Sequence, residues 1–341
     1  MDIQISGLYT RNRTSVRVDG QLLPVIDCES SYKYLGVEIF GASRVNSGVP
    51  METLMKGLRN MTKAPLKPQQ RMFLLRIFLV PAVYHKLVFS PLTAGFLDAM
   101  DLEIRRSVKE WLKLPLDATD AYIYSHPDDG GLGVPCLRTF MPALRRDRLQ
   151  KLTTSHDPVV AAMVRTSTSL AEWIKQVNDL GTLKGQDVSS ATASQRTWRE
   201  RLYNTVDGSG LKEFRQAPLG SSSWVTSGTR LLTGCGYIKA IHMRGATLKT
   251  RYRCARGFPN MDTSCDSCGR TETLGHILQV CPRTSQTRIK RHHRVTDLAL
   301  KQLKLKGLNG AKEVTIPTAE GVRRQTWCFG RTTRPWWWTP Q

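Results

Sequence analysis

The hydrophobic pattern along the chain changes its period more than once. In SVRVDGQLLPVI (15–26) apolar and polar positions alternate around Asp19-Gly20, which predicts a β-hairpin turning at that pair. YKYLGVEIF (32–40) reads as a further strand. From there to about residue 115 the period is helical. Leu97, Met100, Ile104, Val108 and Trp111 recur at spacings of three and four, with Glu103, Arg105, Arg106 and Lys109 between them. That spacing predicts an amphipathic helix ending near Pro115. The run 66–88 is apolar on most faces, which predicts a buried helix bent at Pro81. HPDDGGLGVP (126–135) breaks the pattern with Pro and Gly. Helical spacing returns over 137–175. Residues 166–230 are rich in Ser, Thr and Gly, which predicts a linker or a loosely packed segment. No internal repeat is visible.

At 341 residues the chain has the length of about two domains and a sizeable core. Fifty Lys and Arg against 28 Asp and Glu leave a formal charge of +22. A surplus of that size opposes compaction unless a polyanion or salt screens it, so nucleic acid is the leading partner and an anionic membrane surface the second. The most apolar run, MFLLRIFLVPAVY (72–84), is too short to span a bilayer and carries Arg76 and Pro81. The start, MDIQISGLYTRNR, lacks the apolar core of a signal peptide. Cys28, Cys136, Cys235, Cys254 and Cys328 are scattered without a pairing logic, so a reducing interior is expected.

The remaining three cysteines are clustered. CDSCGRTETLGHILQVC (265–281) places Cys265, Cys268, His276 and Cys281 at C-x2-C-x7-H-x4-C. Two thiols two residues apart can share one turn. His276 and Cys281 lie about one and a half turns apart if 272–280 is a helix, with Leu274, Ile277 and Leu278 as a small apolar cap. Three thiolates and one imidazole suit tetrahedral Zn²⁺ with no open position, so a structural site is expected. A module of ~30 residues is too small to bury its own core, whereas structural zinc contributes roughly 10–16 kcal/mol in finger peptides.

Positive charge concentrates on both flanks of that cluster. Between residues 241 and 300 there are eleven Lys and Arg and four Asp and Glu. Upstream lie Arg244, Lys249, Arg251, Arg253 and Arg256, with Tyr252 among them; downstream lie Arg283, Arg288, Lys290, Arg291 and Arg294. Cations neutralise phosphates and aromatics stack on unpaired bases, so these ten basic residues are the candidate nucleic-acid contacts. His292 and His293 are read as part of the basic helix RIKRHH and not as substitute ligands.

Together these residues resemble the C-terminal half of the polyprotein of site-specific non-LTR retrotransposons of the R-two class, which carry a reverse transcriptase and a restriction-enzyme-like endonuclease. YKYLGVEI (32–39) is similar to the strand that closes the reverse-transcriptase palm. The helices of 50–115 with WLKLP, followed by GGLGVP (130–135), resemble the thumb and its exit. MRGATLKTR (243–251), the Cys-Cys-His-Cys knuckle and RIKRHHRVTDLALKQL (288–303) resemble the family's order and spacing. The resemblance implies an α+β fragment, mainly α. It would comprise the end of the palm (1–42), the thumb (43–120), a helical linker (121–240), a basic nucleic-acid-binding segment (241–260), a CCHC zinc knuckle (261–295) and the start of a truncated endonuclease domain (296–341).

The family nicks target DNA and uses the released 3′ end to prime reverse transcription of its own RNA. The resemblance therefore implies element RNA and target DNA, within ribosomal RNA genes, as partners. It implies structural Zn²⁺ here and Mg²⁺ for the parent polymerase and nuclease. The nucleus is the place that the family role implies, and neither a membrane nor a small-molecule substrate is expected. The aromatic-x-Asp-Asp hairpin of the polymerase would precede Tyr32 and is absent from 1–31. Asp128-Asp129 sits in a Gly-rich loop beyond the thumb-like helices and is not expected to be catalytic. No residue of this chain is assigned a catalytic role, and the isolated fragment is expected to be inactive. The rival reading is a host regulatory protein, a zinc-knuckle nucleic-acid-binding module without catalysis.

The tail QTWCFGRTTRPWWWTPQ has no acidic residue, although a nuclease would need a Pro-Asp and a second acid on an apolar strand beyond about residue 320. Trp has one codon, so Trp336-Trp337-Trp338-Thr339 read two bases later must give Val-Val-Asp. The shifted tail can read PDLVFWKDDKAVVVDA, with Pro and Asp as permitted readings of Arg324 and Gln325. The tail from about 324 is therefore expected to be out of frame.

Overall fold

The computed structural model describes residues 17–22, 31–34, 37–40, 48–90, 92–167, 170–218, 220–227, 232–318, 321–331 and 334–335. The chain divides into two compact units, 1–247 and 248–341. The first begins with two small antiparallel hairpins. β1 (Arg17–Val18) pairs with β2 (Gln21–Leu22). The turn uses Asp19 and Gly20 at φ 48° and 78°, the positive values that Asp-Gly supplies in a two-residue hairpin. YKYLGVEIF is not one strand. β3 (Ser31–Tyr34) and β4 (Val37–Phe40) pair antiparallel with Tyr34 opposite Val37, so the segment reverses where the sequence has Leu35-Gly36. Those two residues lie outside the described ones.

Helices then build the core: α1 (Val49–Lys63), α2 (Pro68–Leu74), α3 (Val80–Phe89) and α4 (Ala94–Leu112). The expected stripe on α4 is buried throughout, from Leu97 to Trp111. Thr93 caps its start by accepting the Phe96 N–H, and Lys113 ends it in the left-handed region at φ 54°. Trp111 donates its indole N–H to Thr62 Oγ1 at 2.8 Å, fixing α4 against α1.

The run 66–88 departs from expectation in two ways. Between α2 and α3 lies a π-helical segment, Leu75–Leu79, where the Val80 N–H reaches back to the Leu75 carbonyl. Pro81 has no N–H for an i−4 partner and its ring crowds that carbonyl, so one widened turn accommodates it. The run is also two-faced: Met72, Leu75, Val80, Val83 and Leu87 are buried, but Phe73, Ile77 and Phe78 are exposed.

After α5 (Asp120–Tyr124), a 3₁₀ turn at Pro127–Asp129 leads into GGLGVP. Leu132 and Val134 donate to the carbonyls of Tyr122 and Ile123, laying this segment against α5. A Cβ on Gly131 would stand 2.2 Å from the Ser125 carbonyl oxygen, so only glycine allows that approach. α6 (Leu137–Thr153) follows, capped from a distance. Asp101, buried on α4, accepts the Leu137 and Arg138 N–H groups at 2.8 Å each.

The described residues of the stretch expected to be loose form regular elements. These are α7 (Pro158–Thr166), α8 (Leu170–Leu180), a hairpin of β5 (Thr182–Leu183) and β6 (Gln186–Asp187), and α9 (Ala191–Tyr203), with 3₁₀ turns at Ser209–Gln216 and Ser223–Val225. Leu180, Trp198, Leu202, Leu211 and Val225 join the main hydrophobic core. A few large apolar residues anchor a stretch whose average composition is polar. α10 (Gly234–Arg244) closes the unit, with Tyr122 donating its hydroxyl to the Ile241 carbonyl at 2.7 Å.

The second unit contains α11 (Arg251–Cys254), the cysteine cluster, α12 (Ser285–Leu305), and a sheet of β7 (Asn309–Thr318), β8 (Gly321–Arg331) and β9 (Arg334–Pro335) in that order, antiparallel. The Trp triplet 336–338 lies outside the described residues. Among the described residues no helix is long and apolar enough to cross a membrane.

Candidate metal centre and nucleic-acid interface

Two local structures bring the four candidate ligands together. The first is a tight turn. Cys265 accepts the Cys268 and Gly269 N–H groups and donates its own to the Arg270 carbonyl at 2.8 Å. Gly269 stands at φ 68°, a left-handed position that glycine takes without a Cβ penalty. The second is a π-helical segment, His276–Val280, and not the α-helix expected for 272–280. The Cys281 N–H donates to the His276 carbonyl at 2.9 Å. Five residues of α-helix would put their side chains on diverging faces; the wider i→i+5 turn stacks them. Leu274, Ile277 and Leu278, the expected apolar cap, are each half-buried.

The result is a compact donor set. The ligand atoms of Cys265, Cys268, His276 and Cys281 all lie within 4.8 Å of one another. Cys265 Sγ is 3.7 Å from Cys281 Sγ, and Cys268 Sγ is 3.3 Å from His276 Nε2. Metal–sulfur and metal–nitrogen lengths of about 2.3 and about 2.0 Å give tetrahedral edges of about 3.8 Å (S···S) and about 3.5 Å (S···N). The residues therefore fit a tetrahedral ion of the size of zinc. Among the described residues this is the one group of three or more such ligands that converges.

The thiols are electrostatically unequal. The Ser267 N–H, followed by His276, pulls the Cys265 thiol down to about 7. The Arg270 N–H acts to lower Cys268, but burial and the neighbouring Cys265 outweigh it and the thiol is pushed up. A metal ion entering this site would displace the remaining thiol protons.

Side chains that the sequence reading passed over hold the cluster in place. Glu272 is buried; its Oε1 accepts the Arg251 N–H at 3.1 Å, and its Oε2 lies 3.9 Å from Arg283. Arg251 also bridges Asp262 at 3.3 Å and Asp266 at 2.5 Å. Arg288 donates to the Cys281 carbonyl at 2.7 Å, capping the segment after its last ligand. Three acids inside a strongly basic stretch were the available signal for this scaffold.

The ten candidate cations separate by environment. Arg244 belongs to the first unit and is buried there. Its guanidinium donates to the carbonyls of Gly130 and Pro127 and to Ser222 Oγ, and lies over Phe214 at 4.2 Å. Arginine's rigid fork and its weakly hydrated face suit that enclosure, and burial lowers its pKa. Arg253 is likewise buried, and Arg251, Arg256 and Arg288 are half-buried. Lys249, Arg283, Lys290, Arg291 and Arg294 are exposed.

Lys301 and Lys304 are exposed as well, and were not among the candidates. At 100° per residue, Lys290, Arg294, Lys301 and Lys304 fall on one side of α12. Asp297 shares that side, but Lys312 pairs with it at 2.7 Å and offsets its charge. The period beyond RIKRHH was the signal available in the sequence. Asp128 and Asp129 do not form a comparable acidic centre. Asp129 is buried, with Arg215 at 3.6 Å, while Asp128 is exposed beside His126.

No family model matches the chain. Curated relatives do. Over 313 residues, 91% of its length, it is 35% identical to the retrovirus-related Pol polyprotein from type-2 retrotransposable element R2DM of Drosophila melanogaster. It is 34% identical over 295 residues, 85% of its length, to that from type-1 retrotransposable element R2 of Bradysia coprophila. A Pol polyprotein of the R2 element of Popillia japonica is 29% identical over 328 residues, 93% of the chain. The chain spans 29%, 33% and 64% of these three relatives' lengths.

Proposed function

From the premise that this chain is homologous, over about nine-tenths of its length, to a segment of R2 retrotransposon Pol polyproteins, we propose that the segment binds nucleic acid for target-primed reverse transcription. Its ligands are the element's RNA and the target DNA, within ribosomal RNA genes. In this reading 1–42 ends the palm, 43–120 is the thumb, 121–240 is the linker, and 296–341 opens the endonuclease domain. The parent polyprotein supplies polymerase and nuclease chemistry with Mg²⁺. No residue of this segment has a catalytic role.

The observation that carries the reading is the exposed cationic side of α12, which follows directly on the cysteine cluster. Lys290, Arg294, Lys301 and Lys304 occupy it, and Asp297 on the same side is ion-paired. A row of cations along one helix side meets a row of phosphates, each contact releasing a condensed counterion. Cys265, Cys268, His276 and Cys281 hold structural Zn²⁺. The ion fixes the turn and the π-helical segment from which α12 departs, so the cations are presented on a preformed surface.

The test is binding of labelled RNA and of labelled duplex DNA to the full chain, before and after chelation with measured zinc content. The reading expects affinity to fall by about tenfold or more on zinc removal and to return on zinc addition. Equal affinity of the zinc-free and zinc-loaded chains would overturn the role given to the metal. Failure of the loaded chain to bind either nucleic acid at low salt would overturn the reading as a whole.

A further inference from the structure

Between α11 and the cysteine cluster the chain makes an excursion whose two ends are tied together. At its start, Arg251 N–H donates to Glu272 Oε1 at 3.1 Å and Tyr252 N–H to the Glu272 carbonyl at 3.3 Å. At its end, the Arg251 guanidinium reaches Asp262 at 3.3 Å, and Glu272 N–H donates to the Thr263 carbonyl at 2.8 Å. Two consecutive turns form the protruding part. Phe258 N–H donates to Ala255 at 2.9 Å and Met261 N–H to Phe258 at 3.1 Å. Gly257 permits the first at φ 81°.

This tethered loop presents large apolar side chains to solvent. Phe258 is 65% exposed, Met261 49%, and Tyr252 at the loop's base 45%. The folded chain alone therefore leaves this apolar surface in water. The same unit is cationic around it, with ten Lys and Arg against four Asp and Glu between 248 and 300. All four of those acids are themselves ion-paired: Asp262 and Asp266 with Arg251, Glu272 with Arg283, and Asp297 with Lys312. The complementary ligand carries negative charge and flat apolar faces at once. Unpaired bases on a phosphate backbone have that chemistry, whereas a duplex hides its base faces within the stack.

We propose that Phe258, with Met261 on the adjoining turn and Tyr252 at the loop's base, forms a stacking platform for unpaired bases of single-stranded nucleic acid. The assignment rests on the proposed nucleic-acid role of this unit and adds the form of nucleic acid that this loop selects.

The experiment compares labelled oligouridylate, oligothymidylate and a duplex DNA in binding to the zinc-loaded full chain and its variants. Phe258→Ala should weaken both single strands by about fivefold or more, the range of one lost base stack. Duplex affinity and the salt dependence should be unchanged, because no phosphate contact is removed. Phe258→Tyr should restore single-strand binding and Phe258→Leu should not. Unchanged zinc content establishes that the variants keep the fold. Single-strand affinity indifferent to Phe258→Ala, an equal loss for duplex and single strands, or rescue by Phe258→Leu would each overturn the stacking loop while leaving the phosphate contacts standing. If the parent chain binds neither form, the underlying reading falls and this one with it.

Discussion

Cys281 donates its backbone N–H to the carbonyl of His276, five residues earlier, at 2.9 Å. That single i→i+5 bond turns two side chains that an α-helix would separate toward one point, where Cys265 and Cys268 already sit. The expected consequence is one zinc per chain. Elemental analysis should find it in the parent and lose it in Cys268→Ser. Chelation should lower the helical signal of the second unit, since structural zinc contributes folding energy directly. Retention of zinc by Cys268→Ser would show that the four residues do not act as one site.

Arg244 tests whether burial or charge decides a basic residue's role. Its guanidinium donates to Pro127, Gly130 and Ser222. Arg244→Lys keeps the charge but loses the fork, leaving carbonyls without donors. The cost should be about 2–4 kcal/mol in urea unfolding of the first unit. The salt dependence of nucleic-acid binding should not change, whereas loss of a phosphate contact would lower the slope by about one.

Asp101 gives the first unit a pH signature. Burial, opposed by the Arg138 and Leu137 N–H groups, raises its pKa to about 6. A raised folded-state pKa means that the native state binds the proton more tightly than the unfolded chain does. Its contribution is therefore full below about pH 4 and is lost as pH rises through about 6. Relative to Asp101→Asn, the parent should gain roughly 2–3 kcal/mol as pH falls from 7 to 4. A stability difference between the two that stays constant over that interval would contradict it.

The coding DNA tests the tail. The bases under residues 324–339 should spell Pro-Asp and then Val-Val-Asp when read two bases later, with an open frame continuing beyond. Restoring that frame should yield a metal-dependent DNA-nicking domain. A stop codon in the shifted frame would contradict the reading.

Regular periodicity was readable in the sequence, and local exceptions to it were not. The α4 stripe, the Asp19-Gly20 hairpin and the Cys-Cys-His-Cys spacing each follow from one repeated rule, and each is present. YKYLGVEIF keeps its β alternation straight through a reversal, so nothing but Gly36 marks the break. The π segments at Leu75–Leu79 and His276–Val280 change the residue count of one turn, which an average period does not register. Residues 166–230 read as loose because Leu180, Trp198 and Leu202 are few among many Ser and Thr, yet each reaches the core. Arg244 and Arg294 look alike in sequence. Only tertiary structure makes one an internal clamp and leaves the other exposed.

Phosphate contact by the exposed cations of α12 is the central claim, and the salt dependence of binding measures it most directly. Lys290→Ala, Arg294→Ala and Lys301→Ala change exposed side chains on one side of α12, unlike Arg288, which caps Cys281. With zinc content unchanged, the triple variant should lower the slope of log K against log salt by about 2–3, at about 0.7–0.9 per contact. The loss should be similar for RNA and DNA, because the backbone is the shared feature. An unchanged slope in the zinc-loaded variant would contradict the account and place those cations against solvent alone.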